Sequence, residues 1–287
     1  MKQKIRAICI ILSVMLAAAC LPLKSSAMII DKRTWKGFVY TGLFDDESDK
    51  TEIQLEILNY KGTKREITIP TEIDGMRVTA VYSLSRAKNL RTLHIPNGVE
   101  VHRALADAPK LKKITVSKSN RRYSVKNNAL LNKKGNVLMG YPGGYSTLKV
   151  PDSVTKIGGG AYFSKFKKIK VGKNLKTIGY NAFLENNGLE TLVLDKKVQY
   201  IGDCAFSDCK KLKKVVLGKS VRRVRFGAFN GCDKLKTIYI YNKNCKIDLN
   251  KDVDQAIPDG ATIYGWKDST AQKYAEKFHL QFVELKE

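Results

Sequence analysis

The chain has 287 residues, 43% of them hydrophobic and 28% charged, with 21 Gly and 7 Pro, a balance that excludes collagen-like, low-complexity and disordered classes. Its 52 Lys and Arg against 27 Asp and Glu give a formal charge of +25, so a negatively charged partner is an expectation from the outset.

Residues 1–27 read as an export signal: Lys2, Lys4 and Arg6 form a basic head, Ile8 to Leu23 an apolar stretch, and Ser25-Ser26-Ala27 a small-residue cleavage site. Its removal takes four cations and no acid, leaving 48 basic against 27 acidic residues, so a charge of +21 belongs to the mature chain. Leu16-Ala17-Ala18-Ala19-Cys20 comes near a lipobox, but Leu16 sits one position too far upstream. Attachment to a membrane is expected only if Cys20 is lipidated. The expected location is secreted or cell-surface. Export also permits disulfides among the four remaining cysteines, Cys204, Cys209, Cys232 and Cys245.

Residues 28–75 read as an N-terminal β cap. Trp35 to Phe44 and Thr51 to Leu58 form a strand pair around the acidic turn Asp45-Asp46-Glu47-Ser48-Asp49, which lacks the Gly and late Glu of a calcium loop and reads as a solvated turn. Degenerate repeats follow over 76–117, with Ser83-Leu84 and Ala104-Leu105 each leading into an apolar run, Leu90, Leu93, Ile95 and then Leu111, Ile114, Val116. Residues 118–150 read as an insertion. Ala129–Asn132 and Val137–Met139 flank Lys133-Lys134-Gly135-Asn136 as a hairpin. The turn Tyr141-Pro142-Gly143-Gly144-Tyr145 leads onward, its tyrosines expected to pack rather than to bind.

Residues 151–245 carry the clearest repetition. Ile178-Gly179-Tyr180-Asn181-Ala182-Phe183, Ile201-Gly202-Asp203-Cys204-Ala205-Phe206 and Val224-Arg225-Phe226-Gly227-Ala228-Phe229 recur every 23 residues, after an earlier copy at Ile157-Gly158-Gly159-Gly160-Ala161-Tyr162. Seven residues beyond each small residue an L-x-x-L-x-L pattern begins: Leu189, Leu192, Leu194; Leu212, Val215, Leu217; Leu235, Ile238, Ile240. The last two apolar positions alternate with outward residues on a short strand, and stacked units bury one continuous core. Gly158, Gly179 and Gly202 are expected to permit a tight or positive-φ bend, Ala to allow close approach, and the aromatic to fill the wedge between coils. Residues 246–287 read as a helix-strand cap: Asp268 or Ser269 caps a helix with Ala271, Tyr274, Ala275 and Phe278 on one face, before a strand from Leu280 to Val283.

These blocks resemble the BspA-like leucine-rich repeats, whose units run from a leucine strand through a short extended stretch to Ile-Gly-x-x-Ala-Phe and a Cys before the next leucine. Ile201 to Leu217 and Val224 to Ile240 carry nearly all of that pattern, with Cys209 and Cys232 at the Cys position. The resemblance implies a β-rich α/β solenoid with parallel strands, short helical turns and terminal caps. It also implies a surface-associated interaction protein, and it brings no catalytic residues.

His94, His102 and His279 match neither a zinc motif nor a nucleophilic triad, and Gly158-Gly159-Gly160 lacks the Lys-Ser/Thr sequel of a phosphate loop. No enzymatic activity, metal or cofactor is expected. Cys209 and Cys232 occupy equivalent slots of adjacent coils, so their backbones lie about 5 Å apart, within disulfide range. Buried free thiols are the favoured reading, with pairing left open.

The candidate binding residues are His94, Lys113, Lys168, Lys170, Lys214 and Tyr239, all outward on leucine strands, with Lys173, Lys176, Lys196, Lys197, Arg222, Arg223 and Arg225 adding charge from the extended segments. Stacking turns them into columns, and columns of like charge repel unless something offsets them. The expected partner is a protein or an anionic polysaccharide or wall polymer, with no specific nucleic acid. The alternative is a structural envelope component held electrostatically on anionic wall polymers. N-terminal sequencing of the exported protein is expected to begin at Met28; a diacylglyceryl group on Cys20 would establish the lipoprotein instead.

Overall fold

A computed structural model describes residues 28–29, 32–44, 54–101, 103–161, 163, 165–248 and 256–286. The export signal with Cys20, the acidic turn at 45–49, His102 and Tyr162 lie outside the described residues. Contacts divide the chain into two compact units, one built from the described residues up to Lys133 with Gly140–Tyr145, the other from Lys134–Met139 and the described residues from Ser146 onward.

In the first unit the expected strand pair forms as Phe38–Phe44 antiparallel to Gln54–Tyr60. The alternation in Gln54–Tyr60 buries Leu55 and Ile57, and the strand lies parallel to Met76–Val81 on its other side. A second sheet holds three parallel strands, Glu66–Thr68, Thr92–Ile95 and Lys113–Val116, with Ile67, Leu93 and Ile114 buried in register. Val116, expected inward, is only half-buried, since its strand is an edge of this sheet. Ala104–Asp107 forms the single helical turn expected at Ala104-Leu105, with Ala104, Leu105 and Ala106 buried.

The segment read as an insertion contains a hairpin that the sequence reading did not anticipate. Tyr123–Lys126 pairs antiparallel with Ala129–Asn132 across Asn127-Asn128. Both asparagines have positive φ, 51° and 60°, the conformation that a two-residue hairpin turn requires and that Asn tolerates best after Gly.

The second unit stacks parallel strands into ladders. Thr191–Leu194, Lys214–Leu217, Thr237–Ile240, Thr262–Gly265 and Phe282–Glu284 make a five-stranded parallel sheet in chain order. Its inward residues, among them Leu192, Val215, Ile238 and Ile263, are buried in register. A ladder of shorter strands runs from Val137-Leu138 through Lys156–Ile157, Thr177–Ile178, Tyr200–Ile201 and Arg223–Val224 to Lys246–Ile247. Residues 137–138 and 147–149, both assigned by sequence to the insertion, therefore contribute rungs: Thr147–Lys149 pairs in parallel with Lys168–Lys170 around the buried Leu148. This unit is a β-solenoid of short coils with little helix, as the repeat pattern implies.

Phenylalanine rings stack through its interior. Phe163, Phe183, Phe206 and Phe229 are fully buried, with successive centroids 5.4, 4.9 and 5.6 Å apart, and the Phe183 and Phe206 rings are parallel within 1°. Tyr162 was expected to open this column, yet Phe163 takes the place. The backbone N–H of Phe163 bonds to Ala182 O just as those of Phe183 and Phe206 bond to Ala205 O and Ala228 O, so Phe163 holds the column's slot with one more residue between it and Ile157 than the later coils have. Phe166 is likewise buried at the anchor slot that Leu189, Leu212 and Leu235 fill further on.

The bend also differs in mechanism from the expectation. Gly179 and Gly202 do not carry a positive φ; their role is close approach, because a Cβ on Gly179 would lie 2.6 Å from Gly159 N, and one on Gly202 2.7 Å from Tyr180 N. The left-handed residue is instead the one before each Ala: Asn181 (φ 50°), Cys204 (50°) and Gly227 (59°).

Ser269 caps the C-terminal helix Thr270–Lys277, accepting from Gln272 N, and Ala271, Tyr274 and Ala275 are its buried face. The final strand is Phe282–Glu284, two residues later than expected at its start, because the chain leaves the helix through left-handed His279 (φ 54°). Replacing Phe206 by Ala removes a ring stacked on both faces and should lower stability by about 3–5 kcal/mol in a thermal or denaturant melt. An unchanged melt would mean that the ring is not interior.

Candidate functional site

Strand pairing carries the alternation of one strand into its neighbours, so outward residues become rows across the sheet. In the five-stranded sheet one such row is Val193, Val216, Tyr239, Tyr264 and Val283. Val193 is 43% exposed, and the other four are partly exposed. The Tyr239 and Tyr264 rings stack at 4.4 Å and 16°, and Lys214 Nζ lies 4.9 Å from the Tyr239 centroid on its cationic flank. Tyr241 continues the aromatic surface, 6.4 Å from Tyr239 and parallel within 14°. A parallel row of Thr191, Lys214, Thr237 and Thr262 borders the apolar one.

Beside this row lies an open cleft of about 820 Å³ lined by Tyr241, Lys243, Trp266, Lys267, Glu284, Leu285 and Lys286. Trp266 Nε1–H donates to Tyr241 O at 2.9 Å, and Leu285 N–H to Gly265 O at 2.8 Å, so the walls are tied to the sheet's backbone.

The sequence-predicted residues divide between the two units. Tyr239 and Lys214 come together as above. Lys168 and Lys170 are exposed on their short strand, where Lys170 pairs in register with Lys149. Among the described residues none of these three lysines has an ion-pair partner. In the first unit Lys113 is exposed in register with Thr92. His94 is committed within the sheet: Nδ1 lies 2.6 Å from Thr115 Oγ1 and Nε2 2.7 Å from Glu66 Oε1. Tyr141 is buried and meets Tyr145 edge-on at 5.6 Å, while Tyr145 Oη–H donates to Lys112 O, which supports the packing reading of that turn.

The basic columns of the extended segments are partly neutralised in place. Arg225 bridges Asp203 (3.1 Å) and Asp248 (3.1 Å), and Arg223 reaches Asp248 at 2.8 Å. Lys196 Nζ donates to Val171 O and Lys197 Nζ to Asn174 Oδ1. The Lys173 backbone N–H donates to Asp152, holding that carboxyl below the usual range, and Lys213 does the same to Glu190 with its ammonium at 2.8 Å.

All four described cysteines are buried, and Cys209, Cys232 and Cys245 are free. Cys209 Sγ donates to Phe183 O at 3.3 Å and Cys232 Sγ to Phe206 O at 3.1 Å, each thiol tying its coil to the preceding phenylalanine. Hydrogen bonding with Cys232, then burial, holds the Cys209 thiol well above its ordinary value; burial pushes Cys245 up to about 12. These are structural thiols, the favoured reading of the sequence.

Sequence reasoning named Tyr239 but missed Val193, Val216, Tyr264 and Trp266. Val193 and Val216 stand between inward Leu192 and Leu194, and between Val215 and Leu217, so unbroken apolar runs concealed which residue faced out. Tyr264 and Trp266 follow a stretch without the repeat block, and pairing alone places them beside Tyr239.

Parallel ladders, an apolar wedge column and outward rows define a leucine-rich-repeat scaffold. Residues 143–251 match the BspA type leucine rich repeat region, in six copies, so this segment is a run of BspA-type repeats, as the sequence blocks suggested. The chain is similar in structure to a leucine-rich repeat protein from Eubacterium ventriosum, at 18% identity over 77% of this chain and 80% of that one, with a TM-score of 0.47. It is similar also to the pneumococcal vaccine antigen PcpA, at 16% identity over 90% and 99% and a TM-score of 0.44. A leucine rich cell surface protein from Faecalibacterium prausnitzii is 14% identical over 80% and 96%, with a TM-score of 0.34. No curated protein matches the chain. Among the described residues no helix is long and apolar enough to cross a membrane.

Proposed function

We propose that this protein is a non-enzymatic binding protein of the cell surface or the extracellular space, which recognises a protein through the outward face of its five-stranded sheet. The observation that carries this reading is the row Val193, Val216, Tyr239, Tyr264, Val283. An electrostatic anchor needs only Lys and Arg, whereas a recognition surface has an apolar, aromatic centre poor in charge and a polar rim. Here Thr191, Thr237, Thr262 and Lys214 form the rim on one side. BspA-type repeats belong to a class of scaffolds that present extended faces to protein partners. The export signal read at residues 1–27 supports the location, and the terminal segments would act as caps on the repeats.

The second reading, retention on an anionic wall polymer, is favoured by one separate observation. Lys149, Lys168 and Lys170 are exposed on two paired short strands, with Lys149 and Lys170 directly opposite each other. Such like charges repel unless a polyanion lies across them. His94 and Lys113 belong to the first unit, where His94 is already hydrogen-bonded on both nitrogens.

The test is a binding screen of the mature chain against extracellular proteins and anionic polymers, with two variants beside the parent. Protein recognition predicts a ligand lost on Val193→Glu with Tyr264→Ser, retained at moderate salt, and little affected by Lys168→Glu with Lys170→Glu. Binding that falls steeply with salt, vanishes on the lysine reversals and ignores the Val193 and Tyr264 changes would establish the polymer anchor instead.

A further inference from the structure

The cleft next to the Val/Tyr row is more cationic than its surroundings require. Lys243, Lys267 and Lys286 face one acid, Glu284, across a space of about 820 Å³. Among the described residues none of the three ammoniums has an ion-pair partner, in contrast to Arg223 and Arg225, whose charges are taken up by Asp203 and Asp248. The cleft is also continuous with the apolar row, because Tyr241 both lines it and lies parallel to Tyr239. Trp266 is held against the backbone carbonyl of Tyr241, so the aromatic wall is fixed before any ligand arrives.

We propose that the row and the cleft together receive one extended acidic polypeptide segment, its apolar side chains on Val193, Val216, Tyr239 and Tyr264 and its carboxylates among Lys243, Lys267 and Lys286. This rests on the protein-binding reading above and adds the chemistry of the partner. The row crosses five strands, a span of about 19 Å at the strand spacing. An extended segment of about six residues covers it at roughly 3.3 Å per residue. The ring geometry favours a polypeptide over a glycan. Tyr239 and Tyr264 stack face on face, and Lys214 lies over Tyr239, so the face of Tyr264 turned to Tyr239 and the ring of Tyr239 are already occupied where a sugar ring would lie. What points outward is ring edge, hydroxyl and valine methyl, a surface complementary to aliphatic and aromatic side chains. Charge supplies the register: three lysines at one end of an apolar row fix which end of the segment carries acid.

The test measures affinity of the full exported chain for three polymers matched in the number of carboxylates per molecule: a random Glu-Tyr copolymer, poly-glutamate and polygalacturonate. The copolymer is expected to bind at least about tenfold more tightly than either pure polyanion, since only it can use the apolar row. Lys243→Gln with Lys286→Gln should weaken copolymer binding about tenfold and flatten its salt dependence. Both lysines are exposed, and an unaltered melt checks that the variant is folded. Copolymer binding that ignores these substitutions overturns the cleft assignment and leaves the apolar row standing. Equal binding of all three polymers overturns both the partner chemistry and the protein-recognition reading. Failure of the copolymer to bind at low salt overturns the inference.

Discussion

From Phe163 to Phe229, successive coils of the second unit place a phenylalanine ring against the ring of the coil before it. The parallel stack of Phe183 on Phe206 at 4.9 Å, continued to Phe229, fixes the distance between coils, and the strand ladders repeat it on either side. From Phe183 to Phe229 the rings and the hydrogen-bonded rungs Ile178, Ile201 and Val224 share one 23-residue period. The glycines and left-handed residues serve the same constraint. Gly179 and Gly202 let backbones approach to distances no Cβ allows, and Asn181, Cys204 and Gly227 turn the chain so that Ala-Phe enters the wedge.

The same register that aligns the core also aligns the surface, and the surface therefore has rows whose chemistry is set by whatever stands at each outward position. Where those positions carry charge, the chain offsets much of the repulsion internally, with Arg225 shared between Asp203 and Asp248 and Lys213 on Glu190. Where they carry Val193, Val216, Tyr239 and Tyr264, nothing polar intervenes, and an apolar strip lies along an otherwise basic protein. Three further lysines without an ion-pair partner among the described residues line the cleft at its end, beside Trp266.

Much of this was legible in the sequence because period-2 alternation and the Ala-Phe spacing are direct readouts of burial. Leu192, Val215 and Ile238 face inward as their pattern requires, and Ser269 caps its helix as its position before Ala271 suggests. The errors have physical causes. Phe163 replaces Tyr162 because the Gly158-Gly159-Gly160 coil runs one residue out of step, which spacing from Ala161 conceals. The hairpin at Asn127-Asn128 was missed because its turn residues carry no glycine. The outward identity of Val193 and Val216 was hidden in apolar runs, and Arg223 and Arg225 read as free charge because their acids, Asp203 and Asp248, lie more than 20 residues away along the chain.

The central claim, that ring-on-ring contact couples successive coils, is tested most directly by a double-mutant cycle on Phe183→Leu and Phe206→Leu in denaturant unfolding. Stacking predicts a coupling of about 0.5–1.5 kcal/mol between the two sites beyond the loss from each alone. Additivity within about 0.3–0.5 kcal/mol would contradict it, and would mean that the two phenylalanines fill separate spaces in the core.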